Sequence, residues 1–262
     1  MFKEWNCVAD TWDKNMKDGD WFQRNIIYPE ILHALHNIDE KSIIDIGCGN
    51  GHLSRFLAKR GAQMLGVDNS QHMIDCCKAY NSAIQYELLD ITDKEFPYED
   101  CFDVAIFNNS IQDMDQYENG LSNAYRLLKK GGRLLVIVKH PCFHGRSAEC
   151  GWRVTTKNGD TFTTGHGLTE LEKNKTRYTA DFFLIDDYFN KSEHIREWYG
   201  LKTTSYARTL QDYINAIIQA GFTMKAVSEP CPIPLGQTEN PSLYALLTKI
   251  PNFIFIYSEK IQ

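Results

Sequence analysis

Residues 42–61 constrain the fold more than any other stretch: Ser42-Ile43-Ile44-Asp45-Ile46-Gly47-Cys48-Gly49-Asn50-Gly51 runs into His52-Leu53-Ser54-Arg55-Phe56-Leu57-Ala58-Lys59-Arg60-Gly61. Three isoleucines with little charge read as a buried parallel strand, and Leu53, Phe56, Leu57 and Arg60 fall at helical spacing. Three alternating glycines between them make a turn with little side-chain bulk, so that a ligand can touch backbone. Strand, turn and helix in this order place backbone N–H groups and a helix N-terminus at the carboxyl end of a strand, where open α/β sheets bind nucleotides. The same glycines could serve helix–strand packing alone, so the residues that follow must decide.

Spacing separates two cofactor classes. The dinucleotide fingerprint is G-x-G-x-x-G, but the sixth position counted from Gly47 is His52, and the third glycine stands one residue early at Gly51. Asp45, in the strand beside the turn, would repel a pyrophosphate yet could bind an ammonium or sulfonium cation. Asp68 closes a second strand, Gln63–Val67, where a carboxylate can accept from both hydroxyls of a ribose. Asn69-Ser70 caps a helix over Gln71–Tyr80, and a third strand, Ala83–Leu89, ends in Asp90-Ile91. Either aspartate alone could be a turn residue; the two at successive strand ends argue for a ligand.

The D-I-G-C-G-N-G run at residues 45–51 resembles motif I of the class I S-adenosylmethionine-dependent methyltransferases, in their small-molecule branch. The resemblance extends over about residues 40–139, including the R-L-L-K-K-G-G-R-L-L run, and more weakly over 203–258. It implies S-adenosyl-L-methionine as cofactor and S-adenosyl-L-homocysteine as product. By that resemblance Asp45 and the turn residues Gly47, Cys48, Gly49 and Gly51 hold the methionine moiety, and Asp68 the ribose. Asp90 meets the adenine amino group with Ile91 beside the ring, Asn69 and Met73 belong to the same site, and Asn108-Asn109-Ser110 lie under the transferable methyl group. The N-P-P-Y or D-P-P-Y of nucleic-acid amino methylating enzymes is missing after strand four, as is the glutamate pair of protein-arginine methylation.

The implied fold is α/β: a Rossmann-like seven-stranded sheet with its last strand antiparallel and helices on both faces. Strand four is Phe102–Phe107, a helix follows from Gln116 to Lys130 with Gly131-Gly132 as its stop, and strand five is Arg133–Val138. Helix Thr209–Phe222, strand Thr223–Ser228, a short helix at Leu243–Thr248 and a last strand at Asn252–Tyr257 complete the pattern. Residues 1–38 read as an N-terminal helical lid, 39–139 with 203–262 as the cofactor-binding domain, and 140–202 as an inserted substrate cap. Within the cap, Trp152–Phe162 has the Asn158-Gly159 centre of a β-hairpin. All five tryptophans fall in the lid or the cap. The two segments are therefore expected to pack together and to roof a pocket for an apolar or aromatic small molecule, with Trp12 and Tyr28 as lid residues.

A chain of 262 residues, 43% hydrophobic and 24% charged, can bury one sizeable core. A net charge of -6 argues against nucleic acid as a partner, and no apolar run suits a membrane or a signal peptide. Eight cysteines without a C-x-x-C point to reduced thiols, hence a cytoplasmic protein, and the resemblance implies a small-molecule substrate as its partner.

For catalysis, an activated methyl group needs in-line placement of a nucleophile, and a base only if that nucleophile must lose a proton. His140, after strand five, is the candidate base, because imidazole titrates near neutrality. His144, Tyr206 and Arg208 are candidate substrate-side residues. His140, Cys142, His144 and Cys150 are crowded, but no second paired cluster completes a tetrahedral zinc site, so no metal is expected. Two other functions stay open: a non-catalytic adenosyl-binding or regulatory module, and a nicotinamide oxidoreductase, disfavoured by Asp45 and His52.

Overall fold

The computed structural model describes residues 3–80, 83–143, 152–155, 161–164, 179–183, 188–198 and 200–261. Strands β1 Ser42–Ile46, β2 Gln63–Asp68, β3 Gln85–Leu88, β4 Phe102–Asn108 and β5 Leu128–Lys139 come first. Next are β6 Trp152–Thr155, β7 Thr161–Thr164, β8 Thr179–Phe183, β9 Glu193–Trp198 and β10 Leu201–Tyr206, followed by β11 Thr223–Ser228 and β12 Phe253–Glu259. Seven of them form one sheet in the order β11-β12-β5-β4-β1-β2-β3, in which β12 runs antiparallel to both β5 and β11. The order reverses between β1 and β4, so the carboxyl ends of these two parallel neighbours open the crevice where such sheets take ligands.

The alternation of side chains along each central strand feeds two cores. Ile44, Ile46, Phe107, Leu134 and Val136 pack with Leu121 of α5 (Tyr117–Leu127) and Ile217 of α6 (Leu210–Gln219). On the opposite face Ile43, Ile106, Leu135 and Phe255 pack with Ile31, Leu53 and Leu57 from α2 (Tyr28–Leu35) and α3 (His52–Ala58), and α4 (Gln71–Ala79) follows β2. A strand covered on both faces carries apolar side chains at successive positions, as Ile43 and Ile44 do in β1. The N-terminus of α6 is fixed by a capping box between Thr209 and Asp212.

Three boundaries differ from those expected. The helix after β4 stops at Leu127, and Lys129 and Lys130 already belong to β5. Gly131 takes a positive φ, its N–H donates to the Lys260 carbonyl at 2.7 Å, and the Lys260 N–H returns to Gly132 at 2.9 Å. Strand pairing thus claims the residues that helical spacing alone would keep. The N-terminal region is not one lid: α1 (Lys3–Met16) lies at the crevice, whereas Ile26, Ile27, Ile31 and Leu35 are core residues. Finally, β10 pairs with β9 from Tyr206↔Glu193 to Leu201↔Trp198, so residues 203–206 belong to a hairpin of the expected cap. The strands on either side of Asn158-Gly159, β6 and β7, pair antiparallel as a hairpin requires.

Candidate active site

A cavity of about 710 Å³ runs along the crevice, within the size range of ligand pockets. Its floor is the glycine turn. The N–H groups of Gly47 and Cys48 donate to the Val67 carbonyl at 2.8 and 3.0 Å, which ties the turn to the end of β2. Gly47 and Gly49 both have positive φ, and a β-carbon on Gly47 would stand 2.4 Å from that of Ser110. At Gly49 a β-carbon would point at the indole of Trp12, 3.2 Å from its nitrogen. Packing explains the first glycine, and a close approach from above explains the second.

Three aspartates face this floor. Asp45 is 1% exposed and accepts the Ser54 hydroxyl at 2.7 Å. Burial pushes its carboxyl up to about 7 against the help of Ser54, with the Asp68 charge adding to the rise. Asp68 accepts the N–H groups of Gly49 and Ser70, each at 2.9 Å, and burial raises it to about 6. Asp90 accepts the N–H and hydroxyl of Thr92 at 2.8 and 2.7 Å and approaches the Asn69 amide at 3.3 Å. Asn69, Met73, Ile91, Asn108, Asn109 and Ser110 line the same cavity, and the buried Asn109 Oδ1 has no hydrogen-bond partner among the described residues. Carboxylates held above their ordinary range and an unsatisfied amide oxygen are what a ligand with a diol and an ammonium group would satisfy. The residues present therefore fit S-adenosylmethionine.

The α1 helix closes this end. Asn50 of the turn donates to Asp13 at 2.8 Å and to the Lys17 carbonyl at 3.0 Å, while Ser70 donates to Asn6 at 2.8 Å. Trp12 and Trp5, edge to face at 5.6 Å, line the cavity with Glu4 and Met16. Glu4 in turn accepts the N–H and hydroxyl of Thr204 at 2.9 and 3.0 Å, which joins α1 to the β9–β10 hairpin.

The far end was not anticipated from the sequence. Phe22, Gln23, Gln112, Asp113, Lys139, Arg196, Thr203 and Phe253 line it. Lys139 is pulled down to about 7, first by burial and then by Arg196, with Asp20 acting in the other direction. Its ammonium lies 4.3 Å from the ring centre of Phe253 and 4.7 Å from that of Phe22. Asp113, pushed up to about 6 by burial, stands 3.8 Å from Arg196. The available signal was a lone charge closing an otherwise apolar run from Leu134 to Val138.

Several expected residues stand elsewhere. His140, one position past Lys139, is directed to Glu229 at 2.6 Å and accepts the Cys142 N–H at 3.2 Å, so both ring nitrogens are engaged outside the cavity lining. Tyr28 bonds His52 at 2.8 Å and stacks on Phe56 at 3.9 Å within the core; among the described residues it is not part of the lining. Arg208 donates to the carbonyls of Ile111, Met114 and Asp115 and covers the Tyr117 ring at 3.9 Å, bracing the loop after β4, and Tyr206 lies beside it. His144 and Cys150 lie outside the described residues, and the described cysteines form no disulfide.

Residues 44–136 match a family model described as a methyltransferase domain. With the sheet order, the glycine turn and the three strand-end aspartates, this match marks residues 44–136 as a class I S-adenosylmethionine-dependent methyltransferase domain, the kind of enzyme whose cofactor is S-adenosylmethionine. An uncharacterised protein of Haemophilus influenzae is 25% identical over 242 residues, covering 89% of this chain and 87% of its own. A ubiquinone biosynthesis O-methyltransferase of Coxiella burnetii is 35% identical over 135 residues, 49% of this chain and 56% of that protein. The chain thus spans about half the length of this relative of named activity. An S-adenosylmethionine-dependent methyltransferase from Mesorhizobium loti superposes with a TM-score of 0.68 at 23% identity, over 92% of this chain and 99% of that one, and so shares the fold. No helix among the described residues is long and apolar enough to cross a membrane.

Proposed function

We propose that this enzyme transfers the methyl group of S-adenosylmethionine to a small-molecule acceptor held at the far end of the cavity. The observation that carries the reading is continuity: one cavity joins the glycine turn and Asp45, Asp68 and Asp90 to Phe22, Lys139, Arg196 and Phe253. Bound at the aspartate end, the cofactor supplies a methyl group already activated by its sulfonium. The chain's own residues then have three tasks. Asp68, prearranged by two backbone N–H groups, accepts the ribose hydroxyls, and Asp45 with Asn109 Oδ1 receives the ammonium group. Trp5 and Trp12 above the turn, and Phe22 with Phe253 at the far end, exclude water without adding charge. The Asn108-Asn109-Ser110 loop, fixed by the Ser110 hydroxyl on the Ile46 carbonyl at 2.5 Å, separates the two ends and sets the line of transfer.

The ubiquinone biosynthesis O-methyltransferases and malonyl-[acyl-carrier protein] O-methyltransferase among the relatives support transfer to oxygen, the former on a small molecule and the latter on a carrier-bound acyl group. Such an acceptor is met in the cytoplasm, where we place the chain's activity. Calorimetry tests the cofactor half: S-adenosylmethionine and S-adenosylhomocysteine bind, and NAD does not. Transfer of labelled methyl to a panel of metabolites tests the other half, and binding without transfer to any of them would favour a regulatory adenosyl-binding role.

A further inference from the structure

The acceptor end gathers two cations, and only one of them is matched. Arg196 of β9 has Asp113 at 3.8 Å. Lys139, at the carboxyl end of β5, has no ion pair among the described residues; its ammonium is held against the faces of Phe22 and Phe253. Aromatic faces attract a cation but accept no conventional hydrogen bond, so the three N–H donors of the ammonium are left to a ligand. The charges acting on Lys139 come from Arg196 on β9, which repels it, and from Asp20 ahead of the helical turn Gln23–Ile27, which attracts it more weakly. A cationic acceptor would worsen this balance and a neutral one would leave it unchanged. An anion would relieve it, and the two phenyl rings beside the ammonium offer an apolar wall for the body of the same molecule.

We propose that the methyl acceptor is a small aromatic acid, whose carboxylate seats on Lys139 with Arg196 behind it and whose ring lies along Phe22 and Phe253. The inference rests on the methyltransferase reading of the same cavity, and it makes Lys139 and Arg196 specificity-determining residues. It also has a proton signature. With its amine drawn down to about 7, Lys139 is close to half protonated at neutral pH in the empty site. A carboxylate bound against it favours the charged form, so binding must draw a fraction of a proton from the buffer.

Benzoate is the probe, titrated calorimetrically at about pH 7 into the full chain, both empty and loaded with S-adenosylhomocysteine, in two buffers of different ionisation enthalpy. Benzamide serves as the neutral control. The expected result is that benzoate binds and benzamide does not, with proton uptake near pH 7 that comes from Lys139, joined as pH falls by uptake at Asp113, which stands beside Arg196 and is raised to about 6. Lys139→Met weakens benzoate on the order of 10- to 100-fold. Lys139→Arg keeps the binding but loses the Lys139 part of the uptake, so that the uptake near pH 7 falls, since a guanidinium is always charged. Equal binding of benzamide, absence of benzoate binding, or the same proton uptake in Lys139→Arg would each overturn the proposal. Failure of S-adenosylhomocysteine to bind would instead remove the methyltransferase reading, while the titration of the empty protein would still decide whether this end takes an anion.

Discussion

Replacing Asp45 with asparagine separates what the carboxylate costs the empty protein from what it gives the ligand. The folded carboxyl titrates near 7 and its ordinary value is 3.8. Between these values the folded chain holds a proton that the unfolded chain has lost, so stability is full below the lower value and falls as pH rises through the upper one. Above pH 7 the loss corresponds to at most about 4 kcal/mol, at ~1.36 kcal/mol per unit of pKa. Asparagine never ionises, and its carbonyl can still accept the Ser54 hydroxyl. The Asp45→Asn protein should therefore match the parent near pH 4 and exceed it progressively towards pH 8. Realising only half of the maximum would raise its Tm by roughly 4–8 °C in a chain of this size. Affinity should move the other way, since the variant has no charge for an ammonium group, and S-adenosylhomocysteine should bind about 1–3 kcal/mol more weakly. Thermal melts between about pH 4 and 8, with and without that ligand, read both effects. A difference in Tm that does not change with pH, or a ligand-induced shift equal to the parent's, would refute the argument.

Asp68→Ala should weaken both adenosyl ligands by about 1–3 kcal/mol in calorimetry, because it removes the acceptor for the ribose and frees the N–H of Gly49. His140→Ala should lower stability by about 1–3 kcal/mol in urea unfolding while leaving S-adenosylhomocysteine affinity within twofold, roughly, of the parent, since its bonds go to Glu229 and Cys142. A chain lacking residues 1–19 should stay folded by circular dichroism but bind the cofactor weakly, whereas one lacking 1–28 should lose its cooperative melt, because Ile26 and Ile27 are fully packed. Hydrogen exchange of residues 3–16 should slow on addition of S-adenosylhomocysteine more than that of the β-strands, which are protected already.

The glycine-turn end of the cavity was legible because its determinants are local. Gly47, Gly49, Asp68 and Asp90 each sit at a strand end that the surrounding sequence announces, and a strand-end side chain in a parallel sheet reaches one edge whatever the rest does. The far end was not, since Phe22, Lys139, Arg196 and Phe253 are brought together across the whole chain by the placement of β12 beside β5 and of the β9–β10 hairpin against α1. The choice between His140 and Lys139 shows the limit most clearly. Intrinsic titration favoured the histidine, but successive residues at a strand end point to opposite sides, and the lysine faces the cavity. Likewise Tyr28 has the composition of a lid residue, yet its neighbours Ile26, Ile27 and Ile31 carry it into the core.

The insertion of β12 between β5 and β11 also sets an order of events during synthesis. Every residue of the cavity floor up to Ile91 leaves the ribosome long before Phe253, which walls the far end. Until residues 253–259 emerge, β5 presents an open edge carrying Leu134, Val136 and Val138, and β11 has no neighbour in the sheet. Such an edge is a template for pairing with another chain. The nascent protein is therefore most exposed to aggregation after β5 has formed and before β12 arrives, and a codon or a mutation that delays β12 would act on yield rather than on the folded enzyme.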